Sequence, residues 1–171
     1  MPKRLISTIR ATAPARNEDW LELGQTALVE VTSETEGHAI EDALLNDGSG
    51  VWRADVPGVQ TIRLLFDQPQ TIRIIRLVFR EEERERTQEF VLRWLPNGFS
   101  IWRDIVRQQW NFSPPNTVKE CEEYNCELVS ADGLELTIDP DISRGEARAS
   151  LERLQLSVES ESSATNRWSS S

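Results

Sequence analysis

The sequence predicts an all-β chain, a jelly-roll β-sandwich of about eight strands with one or two short helices. Three observations carry that expectation. Apolar residues alternate in period two through most of the chain, as in "ALVEVTS" (27–33), "QTIRLLFD" (60–67) and "QEFVLRWL" (88–95). Turn-forming residues interrupt these runs at short intervals, as in "NDGSG" (46–50), "FSPPN" (112–116) and "DPD" (139–141). Helical periodicity is confined to two short stretches.

The first helix is expected over 18–24, where Asn17 caps and Gly24 stops it. A strand follows over 27–33. The second helix is expected over 38–45, with Ala39, Ile40, Ala43 and Leu44 on one side. The glycine-rich turn after it leads to Trp52, read as a core plug. In 60–67, Ile62, Leu64 and Phe66 face one way and Arg63 the other. In 71–80 the phase breaks: Ile72 and Ile74 share one face, Ile75, Leu77 and Phe79 the opposite one. A β-bulge near Ile74-Ile75, or a strand buried on both faces, resolves the conflict. "REEERER" (80–86) is a solvated connection. The next strand, 88–95, places Phe90, Leu92 and Trp94 in phase. Asn97-Gly98 then predicts a tight hairpin, because both residues accept positive φ, with a partner strand over 101–109. Further strands are expected over 119–129, 133–138 and 148–157. The domain reading is an N-terminal extension packing on the domain (1–26), the sandwich (27–158) and a flexible Ser-rich tail (159–171).

With 19 basic and 29 acidic residues the chain carries a net charge of −10, which disfavours generic nucleic-acid binding. No run approaches a membrane span and no signal-type leader is visible, so a cytoplasmic location is expected. Cys121 and Cys126 are five residues apart, so a strand would put them on opposite faces and no disulfide is expected. With His38 as the single histidine, a Cys/His zinc site is excluded. The charge is uneven: residues 60–110 hold nine Arg against seven acids. The Arg stems cover a sheet face, or form a basic surface for an anionic partner.

No nucleophile elbow and no phosphate loop is present, and one histidine allows one triad at most, so an enzyme is not expected. Asn46, Asp47 and the carbonyls around Gly48–Gly50 are oxygen ligands on a tight loop, which suits calcium, with Asp47 the candidate ligand. An Asx-turn at Asp47 is the alternative. Among the aromatics, Trp94 is expected in the core. Trp110, followed by Asn111 and the proline-rich loop, is expected to be partly exposed.

The order of the pieces resembles the discoidin, or coagulation-factor C-domain, family of galactose-binding-like domains. "LVEVTSETEGHAIEDALLNDGSGVWRAD" (28–55) resembles that family's first strand, turn, short helix, Asp-Gly turn and Trp. "PGVQTIRLLFDQPQTIRIIRLVF" (57–79) is similar to its next two strands, and "FVLRWLPNGFSIWRDIV" (90–106) to its hairpin and following Trp. "ASLERLQL" (149–156) resembles the closing strand, and the likeness spans 28–157. Asn97 stands where the family usually has Asp, and the gap from Gly98 to Trp102 is one residue longer. The closing strand offers Arg153, or a shifted Glu152, where the family usually has an acid that is often a calcium ligand. The resemblance implies a jelly roll that binds glycans, phospholipid heads or proteins through its loops. The expectation is a non-catalytic carbohydrate-binding module with ligand-binding residues His38, Arg53, Trp110 and Asn111, and calcium as the candidate cofactor. The alternative is an intracellular protein-interaction scaffold using the Arg-bearing face, so the partner is a glycan or a protein.

Overall fold

A computed structural model describes residues 20–159. Asn17, most of the 1–26 extension and all but Glu159 of the tail lie outside those residues. Among the described residues, eight strands and two single-turn helices follow in the order α1 (Leu23–Thr26), β1 (Ala27–Val31), α2 (Glu41–Leu44), β2 (Trp52–Arg53), β3 (Gln60–Arg80), β4 (Arg86–Pro96), β5 (Arg103–Phe112), β6 (Lys119–Asp139), β7 (Ser150–Leu151) and β8 (Arg153–Val158). All pairing is antiparallel.

The sandwich is made by two long strands that double back. The first part of β3 pairs with β1 and with the second part of β6, which pairs on to β4 and then β5. The second part of β3 pairs with β8 and with the first part of β6. Both long strands bend together, where the β3–β6 register shifts between Leu65 and Ile72. The two halves therefore face each other. The Phe79 and Phe90 rings meet across the sandwich with centroids 5.2 Å apart, a tilted pair of the favoured kind. Two expected strand pairs, 60–67 with 71–80 and 119–129 with 133–138, are thus single bent strands.

The phase break in β3 is a bulge. Ile72 opposes Val158 and Ile74 opposes Ser157, so two steps on β3 match one on β8. The extra residue brings Ile72, Ile75, Leu77 and Phe79 onto the same buried face. The hairpin between β4 and β5 exists but is not tight. Trp94 pairs with Arg103, the loop runs from 97 to 102, and only Gly98 takes positive φ, at 86°. Asn97 stays in ordinary backbone space, so the Phe99 amide returns to the Pro96 carbonyl at 3.0 Å in a simple turn. The first helix also differs from expectation. Trp20 is bridged to Ser157 of β8, and the helical turn starts at Leu23. Trp52, on a short strand not expected from the sequence, plugs the core as expected. It is 0% exposed, and its Nε1 donates to the Ser33 carbonyl at 3.0 Å. Cys121 and Cys126 are free thiols, one exposed and one half-buried. No helix among the described residues is long and apolar enough to cross a membrane.

The Arg-bearing outer face neutralises itself. In register across five strands run Glu30, Arg63, Glu135, Arg93 and Asp104. Arg63 reaches Glu135 at 2.7 Å and Glu30 at 3.3 Å, while Arg93 reaches Asp104 at 2.7 Å and Glu135 at 3.4 Å. Such half-exposed pairs add at most about 1 kcal/mol each, but alternating signs directly opposite one another fix the register.

Candidate functional site

Both ends of β3 and of β6, the start of β4 and the finish of β5 come together at one end of the sandwich, because each long strand doubles back. The connections 32–59, 81–85, 113–118 and 140–149 gather there. This is the end where side chains can be presented on a rigid frame.

The frame under these loops is polar and enclosed. Arg86, its side chain 0% exposed, donates from Nε to Glu81 at 2.6 Å and from Nη1 to the Pro140 carbonyl at 2.5 Å. It also donates to Gln88 at 3.3 Å and lies over the Phe112 ring at 5.0 Å. Burial works to raise the Glu81 carboxyl. The Arg86 guanidinium and the Glu83 and Arg84 amides outweigh it and hold the group below its usual range. Arg86 thus pins the 140–149 connection to the head of β4. Further in, Gln88 donates to Glu120 at 3.4 Å. Glu120 is 1% exposed, and burial, with Glu122 beside it, pushes its carboxyl up to about 8. Glu120 is thus enclosed, while Glu122 beside it is half-buried.

Above that frame lies an open groove of about 530 Å³ between the β4–β5 edge and the 140–149 connection. Thr87, Asn111 and Ser113 line one side, Asp141, Ile142 and Ser143 the other, and Glu85 closes it. Asn111 accepts from the Thr87 hydroxyl at 2.5 Å, which orients its amide. Asp141 accepts from the Ser143 amide at 3.0 Å and hydroxyl at 2.7 Å, and the Ile142 amide donates to the Thr87 carbonyl at 2.9 Å. A smaller cavity of about 270 Å³ lies on the other side of Asp141 and Ile142, against Gly58, Val59 and Arg144. Ile142 is 43% exposed and supplies an apolar surface among these polar groups.

The expected ligand residues do not form one cluster. His38 is exposed in the turn beyond β1; its Nδ1 sits 3.0 Å from the Val51 carbonyl. A carbonyl only accepts, so Nδ1 carries the proton and Nε2 is the acceptor of the neutral ring. With a carbonyl rather than a carboxylate behind it, the ring lacks the anion that stabilises the imidazolium of a triad. The Arg53 amide donates to the His38 carbonyl at 3.3 Å, so these two residues are neighbours. Arg53 is half-buried and has no side-chain partner among the described residues. Trp110 and Asn111 are consecutive on β5 and so point to opposite faces. Asn111 is exposed and joins the groove. Trp110 points inward, half-buried against the core, with Nε1 enclosed and unpartnered.

Asp47 is exposed on the turn after α2. The carbonyls of that loop are already engaged by Arg153, whose guanidinium donates to Asp42, Leu45 and Gly48. The Gly48 carbonyl of the expected calcium set is thus taken, and a fixed positive charge stands beside the loop, so the residues present do not fit a calcium ion.

The groove partners Thr87, Ser113, Asp141 and Ser143 were not singled out from the sequence. The signal available was punctuation: "DPD" and "SRG" interrupt two strands, as loops at a sheet end do.

No protein-family model matches the sequence, and no curated protein does. Solved structures do match. One is the family 32 carbohydrate-binding module of Clostridium perfringens NanJ in complex with galactose, with TM-score 0.58 and 14% identity over 81% of this chain and 97% of that one. Another is a pectin-binding carbohydrate-binding module, TM-score 0.55 and 18% identity over 80% and 92%. A third is a family 32 module of a Clostridium perfringens glycoside hydrolase with GalNAc-β-1,3-galactose, TM-score 0.55 and 18% identity over 80% and 98%. The chain has the galactose-binding-like fold. The match spans nearly the whole of each of these modules and about four-fifths of this chain. At these identities the side chains on the loops are this chain's own.

Proposed function

We propose that this galactose-binding-like domain is a non-catalytic glycan-binding module whose site is the groove at the gathered loops. The observation that supports this most is the chemistry of the groove. Thr87, Ser113 and Ser143 offer hydroxyls, Asn111 an oriented amide, and Glu85 and Asp141 carboxylates, round the apolar Ile142. A sugar ring needs that mixture, because each of its hydroxyls both donates and accepts while its C–H faces want apolar contact. On the surrounding sheet face Arg63, Arg93 and Arg107 are paired in place and Arg73 meets Glu159 at 2.7 Å, while Arg76 reaches Gln155 and Arg103 lies over the Phe99 ring, so little of that face is left as a free basic surface. His38 and Arg53, adjacent at the same end, form a second polar group that a longer glycan would reach.

Calorimetric titration with galactosides, glucosides and uronic-acid oligomers tests the proposal. Binding in the micromolar to millimolar range is expected. Asn111→Ala or Asp141→Ala should weaken it at least tenfold, about 1.4 kcal/mol, and His38→Ala should do so for longer oligomers alone. An array and titrations blank at millimolar ligand would sink the reading.

A further inference from the structure

The loop after α2 is built round a cation supplied by the chain itself. Arg153 of β8 donates from Nη1 to the Asp42 carbonyl at 3.3 Å and the Leu45 carbonyl at 3.0 Å, and from Nη2 to the Gly48 carbonyl at 2.8 Å. These acceptors lie 105 to 111 residues earlier in the chain. Three backbone oxygens of one short loop therefore converge on one positive charge. The loop is shaped for this closeness. A Cβ at Gly48 would stand 2.6 Å from the Asp42 oxygen and 3.0 Å from the Leu45 oxygen, so only glycine lets the carbonyls gather. Gly50, at φ +126°, lies against the Asp42 carboxylate; a Cβ there would be 3.5 Å from Oδ2.

Convergent carbonyl oxygens next to carboxylates are what a hard divalent ion takes from a protein. In this loop a guanidinium takes them: its planar array of N–H donors reaches the Asp42 and Gly48 carbonyls and adds a second donor to the Leu45 carbonyl, which also accepts the Gly48 amide at 2.9 Å. We propose that Arg153 is the resident cation of this loop: it does the tying that a calcium ion would do, joins the loop to the last strand, and makes the domain independent of metal. Two consequences follow from the charge. Calcium does not bind while the guanidinium is in place. Replacing it by a carboxylate turns the loop into a calcium site, with three carbonyls, the new Glu and the neighbouring Asp42 as oxygens.

Thermal unfolding of the full chain, in EDTA and in millimolar calcium, tests this, together with calorimetric calcium titration. The wild type should unfold at one temperature in both and give no calcium heat. Arg153→Glu should unfold roughly 5–10 °C lower in EDTA and regain most of that loss in calcium. Arg153→Met should lose stability in both media, and Arg153→Lys, which keeps the charge, should lose less. Stoichiometric calcium binding by the wild type would overturn the proposal. So would an Arg153→Met protein as stable as wild type, or a folded Arg153→Glu protein indifferent to calcium. Should Arg153→Glu not fold in either medium, the wild-type titration and the Met–Lys comparison decide.

Discussion

Glu120 is where single-residue chemistry shows most. Burial, the Glu122 charge and a hydrogen bond to Glu122 raise its carboxyl from 4.5 to about 8, against the smaller pull of Gln88 and Arg86. Folding therefore holds the proton more tightly than the unfolded chain does. The stabilisation is complete below about pH 4.5 and is lost as pH rises toward 8. Burial also acts to raise Glu152, but Arg80 and Lys119 outweigh it and hold that carboxyl low; Glu81 behaves likewise. Their stabilisation is lost in the other direction, as pH falls through their depressed values. Stability should thus peak in mildly acid solution. Glu120→Gln keeps the shape and removes the titration. Its unfolding midpoint should exceed that of the wild type above pH 8 and match it near pH 5. An equal loss at every pH would show that Glu120 contributes through packing alone.

At the scale of elements, β3 carries the main lesson. Its sequence states two phases, and the bulge between Ile72 and Ile74 reconciles them. Deleting Arg73 should remove the bulge and leave Ile72, Ile75, Leu77 and Phe79 in simple alternation, so the protein should still fold with a lowered midpoint. Deleting Leu77 instead turns Phe79 and everything up to Arg80 to the wrong face, and should abolish folding. Circular dichroism and soluble yield separate the two; equal behaviour would contradict the bulge as the register device. The bulge and the alternating strands were legible because each is a local pattern set by side-chain phase. The doubling back of β3 and β6 was not, since turn residues at the bends read as breaks between strands. The loose β4–β5 hairpin was missed for a related reason: Asn97 is able to adopt positive φ, but six residues of loop leave nothing that requires it. Asn111 was legible as a polar residue beside a proline loop. Its partners Asp141 and Ser143 come from another loop, and the meeting of Arg153 with Asp42, Leu45 and Gly48 crosses more than half the chain. Long-range meetings of that kind leave no local signature.

Over the whole molecule the design separates frame from surface. The core lies between the two halves of the sandwich. The outer Arg face is closed by cross-strand acids, and Arg153 ties the α2 loop to β8 without a metal. What remains open is the end where the loops gather, with Thr87, Asn111, Asp141 and Ile142 round a groove held from below by Arg86. Binding there should leave the frame unmoved, because the groove's polar groups are already oriented by Thr87–Asn111 and Asp141–Ser143 hydrogen bonds. The most direct measurement is a titration of isotopically labelled protein with a galactoside and a uronic-acid oligomer, followed by amide chemical shifts. Shifts confined to the neighbourhood of Thr87, Asn111, Ser113 and residues 141–143, saturating with ligand and abolished by Asn111→Ala, are the predicted result. No shifts at millimolar ligand, or shifts centred on the opposite end around Phe99 and Val129, would contradict it.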